Sequence, residues 1–139
     1  MKDFELSLNL CQQMAQAAEK AQNEQGIDVC IAIADRHGHL RYFYRFGEAF
    51  VISIEIAQNK AYTSAVIGQS TADFGQIAQV GGPAFGINVS CPRLVIFGGG
   101  FPLQIDGKTV GGIGVSGGSV EQDEAIAQKM LEAFRSLTA

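Results

Sequence analysis

The chain has no tryptophan, and among its 139 residues only three prolines, three cysteines and two histidines. Charged side chains make up 17% of it, and no apolar run approaches the roughly 18 residues that a membrane span needs. Each shortage excludes something. Cys11, Cys30 and Cys91 are odd in number, far apart and without a C-x-x-C pair, which argues against a disulfide framework or a structural zinc site. The N-terminal Met1-Lys2-Asp3-Phe4-Glu5 carries acids where a secretory signal would be basic and then apolar, so a soluble, cytoplasmic protein is expected, with no membrane partner. Ten Lys and Arg against fourteen Asp and Glu leave a net charge of −4, without the basic footprint that nucleic-acid binding requires.

What is present is apolar: 47% of residues are hydrophobic, enough for one well-packed domain spanning 1–139. The low charge also suggests an apolar surface reserved for further copies of the chain, hence a homo-oligomer.

From Asp3 to Gln25, Phe4, Leu8, Cys11, Met14, Ala15 and Ala18 recur at helical spacing, with Asp3 as N-cap and Gly26 as the stop. Residues 28–35 carry apolar side chains on both faces, predicting a central strand. The turn Arg36-His37-Gly38-His39 leads to Leu40–Arg45, where Leu40, Tyr42 and Tyr44 alternate against Arg41, Phe43 and Arg45, predicting a hairpin. Residues 51–67 support a second helix, and Ser70 followed by Asp73 opens a shorter third, broken at Gly81-Gly82-Pro83. Leu94-Val95-Ile96-Phe97 reads as a strand. Another follows from Phe101 to Ile105, with Pro102 favouring an edge. Asp106-Gly107 turns it into Val110–Val115. Ser119 with Gln122 forms a capping box for a last helix burying Ile126, Met130, Phe134 and Leu137. The order α-β-β-α-α-β-β-β-α, with hairpins in place of β-α alternation, predicts an α+β domain with a mostly antiparallel sheet.

Several motifs carry chemistry on their face. Gly112-Ile113-Gly114-Val115-Ser116-Gly117 matches G-x-G-x-x-G, yet no second strand follows the last helix, and Glu121, Asp123 and Glu124 in that helix's first turn would repel a pyrophosphate. The glycines read better as packing positions, and no nucleotide cofactor is expected. Gly114-Val115-Ser116-Gly117-Gly118 fits a nucleophile elbow, but no histidine lies downstream; only a convergent triad of Ser116, an upstream histidine and Asp35 or Asp106 remains open. Asp35, His37 and His39 form a D-x-H-x-H cluster beside Arg36, Arg41 and Arg45, suited to a metal or to haem and its propionates, or merely a solvated hairpin face. Lys60 is the only charged residue from Ile56 to Ala72, and pairs with Glu48, Glu55 or another acid unless it binds an anionic ligand.

A set of motifs spread along the chain resembles one family: Ala34-Asp35-x-x-Gly38-x-Leu40, Arg45, Lys60-Ala61-x-Thr63-x-Ala65, Pro92-x-Leu94-Val95-x-Phe97, Gly99-Gly100-x-Pro102 and, most specific, the stretch from Asp106-Gly107 through Val110 to Gly118. This is the GlcG/HbpS-like family, which also supplies the C-terminal domain of PduO-type cobalamin adenosyltransferases. The resemblance runs from Asp35 to about Ala127. It implies a profilin-like α/β/α sandwich, with a five-stranded antiparallel sheet flanked by helices, homo-oligomers, and haem binding in several members. It implies no settled catalytic activity. Phe46-Gly47-Glu48-Ala49 and Phe97-Gly98-Gly99 depart from the Met-Asp-Gly-Ala-like and Phe-Pro-Gly runs that members tend to have; both lie in loops and bear on ligand identity more than on fold.

Three functions follow as expectations. The first is a small ligand-binding protein for haem or a related tetrapyrrole or corrinoid, accessory to diol, glycerol or glycolate utilisation, with His37 or His39 as iron ligand and Arg41, Arg45 and Lys60 holding the anionic groups. The second is an enzyme acting on a small anionic metabolite in a subunit-interface pocket, with Asp35 as acid–base group and Arg45 and Lys60 as the clamp. The third is an interaction module that binds another protein and no small molecule.

Overall fold

The computed structural model describes residues 4–139. The elements run α1 (Leu8–Gln25), β1 (Cys30–Asp35), β2 (Leu40–Arg45), α2 (Ile52–Ile67), α3 (Thr71–Ala78), α4 (Ile87–Ser90), β3 (Gly100–Ile105), β4 (Lys108–Ser116) and α5 (Val120–Thr138). The sheet has four antiparallel strands in the order β2-β1-β4-β3, where a fifth was expected. β1 is central and β3, with Pro102, lies at an edge, as their side chains suggest. Asp106 and Gly107, both at positive φ (51° and 78°), make the tight turn between β3 and β4.

The expected strand at 94–97 is not in the sheet. The Val95 N–H donates to Thr63 Oγ1 (2.9 Å) and the Leu94 N–H to the Cys91 carbonyl (3.0 Å), so the segment is docked on α2 and the loop before it. A short apolar run cannot declare its partner, and the ladder beside β3 is already blunted: Pro102 lacks a donor and the Gly100 N–H donates to Thr71 Oγ1 (2.9 Å).

Helices cover both faces of the sheet. On one, α1 and α5 meet Ile31, Ile33, Leu103, Ile113 and Val115, with Met14, Ile126, Met130 and Phe134 fully buried. Each such side chain contributes about 1.5–3 kcal/mol. Leu137, expected in this core, is half-exposed at the end of α5. On the other face α2 presents Ala57, Ala61 and Ala65 to Cys30, Ala32 and Ala34. A third cluster joins Phe74, Ala78 and Leu94, with Tyr62 and Ile96 packed against it.

The helix boundaries follow from their caps. α1 begins later than its apolar spacing suggests, at Leu8, because the Ser7 hydroxyl accepts the Leu10 N–H (3.2 Å); Asp3 lies outside the described residues. In α5 the Ser119 hydroxyl accepts the Gln122 N–H and the Gln122 side chain accepts the Ser119 N–H, a complete capping box. Ser119→Ala should cost about 1 kcal/mol, measured as a lowered urea midpoint with unchanged slope.

Candidate functional site

Asp35 ends β1 and organises the turn after it. Its Oδ1 accepts the backbone N–H groups of His37 (2.9 Å) and His39 (3.1 Å), while Oδ2 faces Arg41 Nη1 at 3.7 Å and His39 Nδ1 at 4.0 Å. Four of the sequence-predicted site residues, Asp35, His37, His39 and Arg41, therefore do come together. They do not share one cavity, because the pairing between β1 and β2 shifts register between Ile33 and Ala34 and skips Arg41. The extra residue breaks the alternation of β2 and re-aims its side chains.

Two cavities result, one on each side of the turn. His39 and Leu40 line a groove of about 700 Å³ with Ile54, Gln58 and Pro92–Arg93. His37 and Arg41 line a smaller one of about 260 Å³. In the larger groove Arg93 is fixed by two contacts: its guanidinium lies 3.9 Å from the centre of the Tyr62 ring, and its Nε donates to Asn59 Oδ1 (3.1 Å). Both terminal guanidinium nitrogens stay available. The histidine rings stand 6.3 Å apart, and His37 Nε2 accepts a bond from Arg36 Nε (3.3 Å). Among the described residues no three His, Cys, Asp or Glu side chains converge on a point a metal ion could occupy, so His37 and His39 do not build a metal site with Asp35.

Arg45 and Lys60 belong elsewhere. Arg45 pairs with Cys30 at the far end of the hairpin, five residues along the strand from Asp35 or about 17 Å, and its Nε donates to the Ala49 carbonyl (2.9 Å). Lys60 is fully buried; its Nζ donates to the Val115 carbonyl (2.7 Å) and to Asp123 Oδ2 (3.2 Å), with the Phe97 ring centre at 5.2 Å. The cation reaches neither Glu48 nor Glu55 but another acid, on the far side of the sheet. Burial pushes the Asp123 carboxyl up and the Lys60 ammonium down, each more than their mutual attraction opposes it. Asp35, Arg45 and Lys60 thus form no common pocket within one chain.

Nor do the glycine motifs carry chemistry. A Cβ at Gly112 or Gly114 would run into the backbone of α2 at Ala57, Ala61 and Ala65, so helix fills the space where a phosphate would sit. The buried Ser116 hydroxyl donates to Ser53 Oγ (3.1 Å), and Ser116 lies opposite Cys30 while Asp35 lies opposite Gly111. The triad of Ser116 with Asp35 and a neighbouring histidine is therefore not assembled.

Sequence reasoning missed Asp123 and Arg93. Asp123 was legible: it falls in phase with Ile126, Ala127 and Met130 on the buried stripe of α5, where a carboxylate demands a cation. Arg93 carried no such signal, being placed by a loop.

The fold and sequence have relatives. A protein of 15.0 kDa from the dhaT-dhaS intergenic region of Citrobacter freundii is 38% identical over 133 residues, covering 95% of this chain and 94% of that one. The corrinoid adenosyltransferase PduO of Salmonella typhimurium is 35% identical over 130 residues, but the chain spans only 39% of its length. The crystal structure of a PduOC–haem complex superimposes with a TM-score of 0.90 at 34% identity, covering 94% of this chain and 95% of that one. No helix among the described residues is long and apolar enough to cross a membrane. The model of the haem-degrading protein HbpS-like family matches residues 6–132, and the chain belongs to that family.

Proposed function

We propose that the chain is a small ligand-binding protein for haem or a related tetrapyrrole, corrinoids included, accessory to the catabolism of a diol, glycerol or glycolate. The observation that carries this reading is the likeness to PduOC, a domain crystallised with haem. The groove beside α2 fits such a group. Its volume lies in the range of cofactor pockets, and Leu40, Ile54 and Pro92 offer apolar contact to a macrocycle.

His39 is the iron ligand, through Nε2. Its Nδ1 faces Asp35 Oδ2 at 4.0 Å, which leaves Nε2 as the nitrogen turned away from the carboxylate. Arg93 pairs with a propionate. His37, Arg41, Arg45 and Lys60, all candidates from sequence, are set aside: the first two line the neighbouring cavity, Arg45 stands at the far end of the hairpin, and Lys60 is buried against Asp123. Haem, when bound, would supply a redox-active iron. Exposed apolar side chains leading into α2 (Phe50, Val51, Ile52), in the loop after α3 (Val80, Phe85) and in α4 (Val89) favour assembly into homo-oligomers.

A haemin titration followed by absorption tests the site. Wild type and His37→Ala should give the same saturable Soret shift, and His39→Ala should bind at least about tenfold more weakly with an altered spectrum. Unchanged binding by His39→Ala overturns the assignment.

A further inference from the structure

The second cavity, on the α1 side of the turn, is left without a role by this reading. It is an open cleft of about 260 Å³ lined by Phe4, Leu6, Asp35, Arg36, His37, Arg41 and Val110. At about 30 Å³ per water that equals roughly nine waters, too small for a tetrapyrrole and ample for a ligand of several heavy atoms.

Its walls divide by chemistry. Phe4, Leu6 and Val110 form an apolar side. Arg36 and Arg41 supply two guanidiniums, and only part of their donor capacity is spent: Arg36 uses Nε on His37, and Arg41 turns Nη1 toward Asp35. Asp35 is the one acid, and its Oδ1 is already committed to two backbone N–H groups. The two guanidiniums against one carboxylate leave one positive charge uncompensated. A ligand matching this cavity carries a single negative charge, a planar acceptor pair for a guanidinium fork, and a short apolar tail.

We propose that this cavity is a binding site for a short-chain aliphatic monocarboxylate, held by Arg36 and Arg41 with its tail on Phe4, Leu6 and Val110. The site is independent of the haem groove and shares with it only the turn that Asp35 organises.

Butyrate is the probe, with inorganic phosphate as its counterpart lacking a tail, read by NMR at the arginine Nε–H signals and the Leu6 and Val110 methyls. Butyrate should shift both sets saturably, with a dissociation constant on the order of 1 mM. Arg36→Gln, an exposed position that leaves the fold intact, and Arg41→Gln should each weaken binding about tenfold. Val110→Phe, which fills the cavity without changing charge, should abolish it while the thermal midpoint confirms folding. His39→Ala should bind butyrate as wild type does, so failure of the haem site leaves this result untouched. Shifts that stay linear in butyrate, saturation by phosphate with none by butyrate, or undiminished binding in the arginine or Val110 variants would each overturn the proposal.

Discussion

Asp123→Asn is expected to destabilise the fold by about 3–5 kcal/mol, the cost of stranding a buried charge. The substitution keeps an acceptor for the Gly118 N–H, now bonded to Oδ1 at 2.8 Å, and replaces the oxygen facing Lys60 by an amide NH2, removing both the negative charge and the acceptor. Lys60 then has the Val115 carbonyl, the face of Phe97 and the weaker attraction of Glu124 but no bonded counter-ion, and it is wholly shielded from water. Urea denaturation measures the loss. The double variant Lys60→Met with Asp123→Leu should regain most or all of it, since well-packed apolar side chains commonly match or exceed a buried ion pair.

The directions of the two shifts fix the pH dependence. Asp123, raised above its usual 3.8, makes an unfavourable contribution that sets in as pH climbs from that value through the folded-state pKa. Lys60, lowered from 10.5, makes one that is fully present below its own folded-state pKa and is relieved as pH rises from there to 10.5. The stability of wild type relative to the double variant should accordingly be poorest between those two folded-state values. A flat difference across the whole range would show that desolvation does not govern the pair.

Gly114→Val should cost about 3 kcal/mol or more, at the upper end of overpacking effects. A Cβ there meets the Ala57 carbonyl, the Ala61 N–H (2.6 Å) and the Lys60 Cβ (2.7 Å), which are mostly helix backbone. Backbone cannot be trimmed by a second mutation, so Ala57→Gly or Ala61→Gly should fail to rescue the variant. Recovery by either would mean that side chains, and not the close approach of α2 to the sheet, set the requirement for glycine. Thermal melts of the single and paired variants decide this.

Local chemistry made much of this architecture readable in advance. Apolar residues on both faces of 30–35, the Asp106-Gly107 turn, Pro102 at an edge and the Ser119 capping box are short-range signals, and each sits where those signals place it. Partnerships across the fold were less readable. Leu94 to Phe97 has the composition of a strand, and only the Thr63 hydroxyl, more than thirty residues away, shows why it pairs with a helix. The skipped pairing at Arg41 splits what reads as one basic strip into two cavities, and a count of alternating residues cannot foresee a one-residue bulge. Lys60 was recognisable as needing a partner, but that partner lies 63 residues on, in another layer.

The layer formed by α1 and α5 has a kinetic corollary. Phe4 and Phe134 stack edge to face, with ring centres 6.1 Å apart, although 130 positions separate them in the chain. The inner face of α1 finds its cover only after a loop of nearly the whole domain has closed, so high contact order should slow folding relative to helical domains of this size. In a newly made chain α1 must keep its apolar stripe in solution until α5 arrives, while the hairpin of β3 and β4 needs only its own two-residue turn to form.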